Sequence, residues 1–248
     1  MATVGVFSNI WRWTKRILLI LFIAQFVYII LLRWVNPPIT VTQFVSWVTG
    51  HGMKRDYVSR NNISFEAKLA VIASEDQLFA DHRGFDWKSI EKAMKYNEKK
   101  PGRQRGGSTI SQQVAKNVFL WQGGGYFRKG LEAYFTFMIE TFWSKERILE
   151  VYLNVSEMGD GIFGIEAAAQ SYFGKPAKDL NRREAALVAA CLPSPKRYKV
   201  KPPSPYVSGR ATKIAQQMAF LFPDPDIKEI IGLEVKKKEE PKTQPAKK

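Results

Sequence analysis

Two adjacent acids, Glu75 and Asp76, stand where a buried helix face should carry none. Leu69, Ile72 and Phe79 recur at helical spacing, and Asp76 falls on the same apolar stripe with Glu75 beside it. If that helix runs from Phe65 to about Ala80, both carboxylates sit toward its C-terminal end, where the macrodipole disfavours negative charge. A local rule broken at two neighbouring positions marks a candidate site, and a carboxylate held there is suited to taking a proton from a weak nucleophile. The plain alternative is a frayed, solvated helix end with ordinary acids.

A second constellation follows at Gly106-Gly107-Ser108-Thr109-Ile110-Ser111-Gln112-Gln113-Val114-Ala115-Lys116-Asn117. Thr109 with Gln112 three residues on is a capping box, so a helix begins here, and the glycines before it let backbone amides approach an anion. Thr109, Gln113 and Lys116 share one helix face, flanked by Gln112 and Asn117. No Gly-Lys-Ser/Thr follows, which excludes a Walker loop. A well-capped surface helix facing water is the alternative. Further on, Arg128 and Glu132 are four apart, ordinarily a surface ion pair worth ~0.3–0.5 kcal/mol.

The elements that must position these groups are mostly helical. A second amphipathic segment spans Trp87 to about Tyr96 and gives way to a basic Pro/Gly run expected to be mobile. A long aromatic helix opens near Arg128 and runs to about Leu153, with Lys145 to Asn154 continuing or restarting it. Helices are expected over 162–173, over Asn181 to Leu192 behind an Asn181/Glu184 capping box, and over 208–221. No run alternates with period two for long enough to give a sheet. The loop from Val118 to Phe127 is too apolar for a free tip, and either packs under something or dips into lipid.

Ile17 to Leu32 carries no charge and is bracketed by Arg16 and Arg33, with Gln25 as its one strongly polar member. Trp34 and Val35 extend it, and no small-residue cleavage site follows, so residues 17–35 are expected to be an uncleaved transmembrane anchor. Arg12, Lys15 and Arg16 place residues 1–16 in the cytoplasm and the remainder outside. Residues 36–64 then form a stalk, 65–223 a single mainly α catalytic domain, and 224–248 a basic, disordered tail.

The net charge of +15 calls for an anionic partner, which by charge alone is nucleic acid, anionic lipid or a phosphorylated substrate. One cysteine, Cys191, and two histidines, His51 and His82, exclude a disulfide, a thiolate cluster and a multi-histidine metal site.

The motifs Glu-Asp-x-x-Phe-x-x-His-x-Gly-x-Asp at Glu75 to Asp86, Gly-Gly-Ser-Thr-Ile-x-Gln-Gln-x-x-Lys-Asn at Gly106 to Asn117 and Arg-Lys-x-x-Glu at Arg128 to Glu132 resemble the first three blocks of the peptidoglycan glycosyltransferases. Lys145 to Asn154 and Arg183 to Leu187 resemble the fourth and fifth. The chain has no Ser-x-x-Lys followed by Lys-Thr-Gly, the transpeptidase pattern of class A penicillin-binding proteins, so it is similar to the monofunctional branch of the family.

The resemblance implies a lysozyme-like helical fold, an inner-membrane location, and lipid II and a growing glycan strand as substrates, with cell-wall synthesis proteins rather than nucleic acid as partners. It implies Glu75 as general base and Glu132 as second acid, which either holds a divalent cation (magnesium or manganese) on the pyrophosphate or positions its cationic neighbours. No organic cofactor is implied. Substrate-binding roles fall to Asp76, Phe79, His82, Ser108, Thr109, Gln112, Gln113, Lys116, Asn117, Arg128 and Lys129, with Asp76 and His82 orienting or structural. A muramidase that cuts strands and a non-catalytic, basic, membrane-tethered binding protein are the competing readings.

Overall fold

The structure, a computed structural model, describes residues 2–100 and 106–234. The centre of the basic run and the lysine-rich end, expected above to be mobile and disordered, lie outside the described residues.

Helix α1, Ala2–Leu31, contains a stretch from Asn9 to Leu31 that is long and apolar enough to cross a membrane. Trp34 and Val35, read from sequence as extending the span, lie in the turn that follows α1. Helix α2, Val41–Val48, is opened by a Thr40/Gln43 capping box and leaves Phe44, Trp47 and Val48 exposed.

The centre of the domain is α3, Phe65–Glu75, in which Ala67 through Ala73 are all buried. A helix packed on every side explains why its apolar stripe is broad. It is covered by α9, Arg182–Cys191, and α10, Pro205–Leu221. Against this core lie α5, Ile110–Phe119; α6, Tyr126–Phe142; and α7, Lys145–Val155, with α5 packed on both α6 and α7, while α4, Trp87–Lys99, buries only Ala93. The architecture is mainly α and lysozyme-like.

Several boundaries differ from the sequence reading for identifiable reasons. Helix α3 stops at Glu75, five residues early, because Asp76 leaves helical geometry (φ −160°) to turn its carboxylate elsewhere. The aromatic helix is two helices: Trp143 is extended, and Ser144 caps a new start by accepting from the Arg147 amide. A small three-stranded sheet exists after all, in the order β1 (Lys54–Arg55), β3 (Ile162–Phe163), β2 (Glu157–Gly159). Strands of two or three residues are too short for alternation to register. Because β3 takes residues 162 and 163, α8 runs only from Ile165 to Phe173.

Beyond Pro223 the chain forms α11, Pro225–Ile231, whose Ile227, Ile230 and Ile231 join the core, as do Ile63 and Leu32 from upstream. The packed domain is therefore wider than residues 65–223 on both sides.

Candidate active site

Asp76 joins two of the sequence blocks. Its Oδ1 and Oδ2 lie 2.9 and 3.0 Å from His82 Nε2, and Oδ2 accepts the Ile110 amide of the first turn of α5 at 3.0 Å. Gly84 N–H donates to His82 Nδ1 at 3.1 Å, so the ring hydrogen on Nε2 is the one given to Asp76. The anion expected at the glycine-led start of α5 is thus the protein's own Asp76. Gly84 has φ +86°, and a Cβ there would stand 2.8 Å from Thr136 Cγ2, which explains glycine at that position.

Thr109 and Gln112 are consumed in the same joint. The predicted capping box is present, both residues are buried, and Thr109 Oγ1 donates to Gly84 O at 2.7 Å. Phe79 is fully buried, with Lys145 Nζ 4.6 Å above its ring, while Lys145 also donates to His82 O at 2.6 Å. Asp76 and His82, read as orienting or structural, and Phe79 and Gln112, read as substrate-binding, have their side chains engaged within the protein, and Asp76 also lines the adjoining cavity.

That cavity, of about 870 Å³, is lined by Glu75, Ser108, Gln113, Lys116 and Arg210 among others. It shares Gln113, Lys116 and Pro193 with a second cavity of about 520 Å³, which adds Asn117, Trp121, Tyr152 and the inner side of α2. Glu75 is the last residue of α3, and its side chain is 13% exposed. Burial pushes its carboxyl above the usual range, opposed by the Gln113 hydrogen bond and by the Arg210 charge. Gln113 Nε2 donates to Glu75 Oε2 at 2.9 Å, and Tyr152 OH donates to Gln113 Oε1 at 3.3 Å.

Lys116 feels both acids. Burial lowers its pKa, Glu132 and Glu75 pull it back up, and Arg128 and Lys129 push it down, which places all four within its electrostatic reach. Glu132 is 2% exposed, so the pair read from sequence as a surface ion pair is a buried one. Arg128 Nη1 donates to its Oε2 at 2.7 Å, Lys129 Nζ reaches Oε1, and Lys129 also lies 3.5 Å from Ser108 Oγ. A buried carboxylate with cations on both oxygens makes a charged cluster beside the cavity, reaching it through Lys129 and Ser108.

The implied divalent cation does not fit this donor set. Both Glu132 oxygens already face cations, and no group of three His, Cys, Asp or Glu side chains assembles among the described residues.

Sequence reasoning missed Arg210 and Tyr152. Arg210 Nη2 lies 4.0 Å from Glu75 Oε1, and its Nε is buried without a partner among the described residues. A signal was available: Arg210 stands three residues after Val207 and four before Ile214, on the buried stripe of α10, where a cation is out of place.

Residues 42–219 match a family model described as Transglycosylase. A biosynthetic peptidoglycan transglycosylase of Pseudomonas putida is 51% identical over 216 residues, covering 85% of this chain and 91% of that protein. One of Escherichia coli is 50% identical over 227 residues (89% and 94%), and one of Bdellovibrio bacteriovorus 47% over 218 (86% and 87%).

Proposed function

This chain belongs to the transglycosylase family and is a peptidoglycan glycosyltransferase, and from that footing we propose that its cleft joins lipid II units into β-1,4-linked glycan strands with inversion. The observation that carries this reading is the pairing in one cavity of a buried, hydrogen-bonded carboxylate, Glu75, with a cation, Lys116, that leads to the Arg128, Lys129 and Glu132 cluster.

A sugar 4-hydroxyl is a poor nucleophile at neutral pH. Glu75 accepts its proton as the oxygen attacks the anomeric carbon, and burial makes the carboxylate a stronger base than a solvated one. The new C–O bond forms as the bond from the anomeric carbon to the diphosphate breaks. Negative charge then grows on undecaprenyl diphosphate and is met by Lys116, Arg128 and Lys129, already oriented before the reaction. Glu132 holds Arg128 and Lys129 in place, and a divalent ion would have to arrive on the diphosphate itself. Ser108, Gln113 and Asn117 supply donors along the same path.

The apolar stretch Asn9–Leu31 serves as a single-pass anchor in the inner membrane, with the amino terminus cytoplasmic and the catalytic domain on the outer face. Val118 and Leu120 of the aromatic loop are buried in the core, but Trp121, Tyr126 and Phe127 are 44%, 97% and 77% exposed, and lipid is the medium that suits that exposed end.

A muramidase would have no use for the cation cluster. The two activities separate in one experiment: labelled lipid II should be converted to polymer that an added lysozyme digests, whereas purified strands should stay intact. Shortening of strands without polymer formation would replace this assignment.

A further inference from the structure

The fourth sequence block has a use that the chemistry above does not require. Three backbone carbonyls around the end of α1, those of Ile29, Leu32 and Val35, are taken by side chains from the α6–α7 junction. Trp143 Nε1 donates to Ile29 O at 2.9 Å. Arg147 donates to Leu32 O from Nε at 3.1 Å and from Nη2 at 2.9 Å, and to Val35 O from Nη2 at 2.8 Å. Its remaining arm, Nη1, is held by Glu150 Oε2 at 2.9 Å, and the residue is 9% exposed. A forked cation on the carbonyl end of a helix is favoured by geometry and by the macrodipole.

The contact is not confined to the helix tip. Gln25, the single polar interruption of the apolar run, has its Nε2 2.5 Å from Tyr134 OH on α6. Phe26 meets Phe142 edge-on with centroids 5.3 Å apart, and Ile29 and Leu32 are buried at 0% and 2%. Tyr28 packs edge-on against Phe119, the last residue of α5, the helix that carries Gln113 and Lys116. From Gln25 to Leu32 the helix advances roughly 10 Å, so about two turns of it are part of the catalytic domain's packing.

We propose that Arg147 is a positioning residue that clamps the carbonyl end of the anchor helix to the catalytic domain, fixing the tilt and height at which the cleft meets the membrane. A lipid-linked substrate presents its diphosphate at a set depth, so a loosened clamp misplaces the cleft without altering its chemistry. The proposal rests on the anchor and polymerase reading above.

The test uses the full chain with spin labels at Leu21→Cys in the anchor and Lys213→Cys on exposed α10, in nanodiscs of phosphatidylethanolamine and phosphatidylglycerol. The unmutated background should give one narrow distance. Arg147→Lys, which keeps the charge but loses the fork, and Gln25→Leu, which touches only the anchor side, should broaden it. Arg147→Lys should lower lipid II polymerisation about tenfold in nanodiscs while changing it less than twofold in detergent micelles, where no fixed surface exists. A distribution that stays narrow in both variants, or an equal loss in micelles and nanodiscs, would overturn the clamp. Micelle activity of the unmutated chain tests the polymerase reading separately, and its incorporation into nanodiscs tests the anchor.

Discussion

The Gln113 side-chain amide donates to Glu75 Oε2 at 2.9 Å, and the Tyr152 hydroxyl fixes which way that amide faces. Gln113→Leu removes a hydrogen bond to a charged group, worth about 1.5–3 kcal/mol, and frees the carboxylate to rotate. Polymerisation should fall roughly 10- to 100-fold in kcat/KM, with Tyr152→Phe intermediate. Steady-state kinetics on labelled lipid II check this, and wild-type rates in Gln113→Leu would show that the orientation of Glu75 is set elsewhere.

Arg210 faces the other oxygen of the same carboxylate and holds its pKa down, against the upward push of burial. Replacing it with Met should raise the apparent pKa of the acid limb of the pH–rate profile, because a positive charge that favoured the carboxylate is gone. The shift is read from kcat/KM against pH, and an acid limb that stays put would remove Arg210 from the site's electrostatics.

Burial of Glu75 also sets a stability cost. Its folded pKa is raised, so the fold binds that proton more tightly than the unfolded chain does, and stability is lost as pH rises through the folded value. Glu75→Gln should therefore melt at a higher temperature than wild type at pH 7.5, with the gain shrinking toward pH 4. A melting temperature that drops at pH 7.5 would mean that the charge is satisfied in the fold.

Lys68 gives a second titration, away from the cleft. It donates to Ile231 O at 3.1 Å and is 5% exposed, and burial lowers its pKa to about 8. The fold prefers the neutral amine, so stability should rise as pH climbs from about 8 toward 10.5, the ordinary lysine value. Compared with Lys68→Met over that range, wild type should gain in melting temperature; parallel curves would contradict the assignment.

The buried Glu132 supports cations on both oxygens, and removing it with Ala strands them. A loss of about 3–5 kcal/mol is expected from breaking such a pair, measured by urea unfolding of the full chain in micelles. Lys116→Met should leave the fold intact and reduce turnover about 10²- to 10³-fold, as expected when a charge-stabilising donor is lost.

Much of this was legible beforehand. The capping boxes at Thr109 and Asn181 announced α5 and α9, because each is a local pattern with a local cause, and the acid pair at 75 and 76 pointed to the candidate site in the same way. What escaped depends on partners distant in sequence. Asp76, where α3 ends early, takes the amide of Ile110, 34 residues on, as well as the ring of His82. Arg210 joins Glu75 from α10, 135 positions on in the chain, and Gln25 makes sense only beside Tyr134, 109 residues away. The depth of Glu132 likewise could not be read from its spacing to Arg128.

The most direct measurement is single-turnover strand elongation from fluorescent lipid II by wild type and Glu75→Gln, with substrate binding followed in parallel. Loss of elongation with binding retained is the predicted result, since the base is gone while the cations at Lys116, Arg128 and Lys129 remain. Elongation by Glu75→Gln at the wild-type rate would show that the acceptor hydroxyl is deprotonated by another group and would contradict the account at its centre.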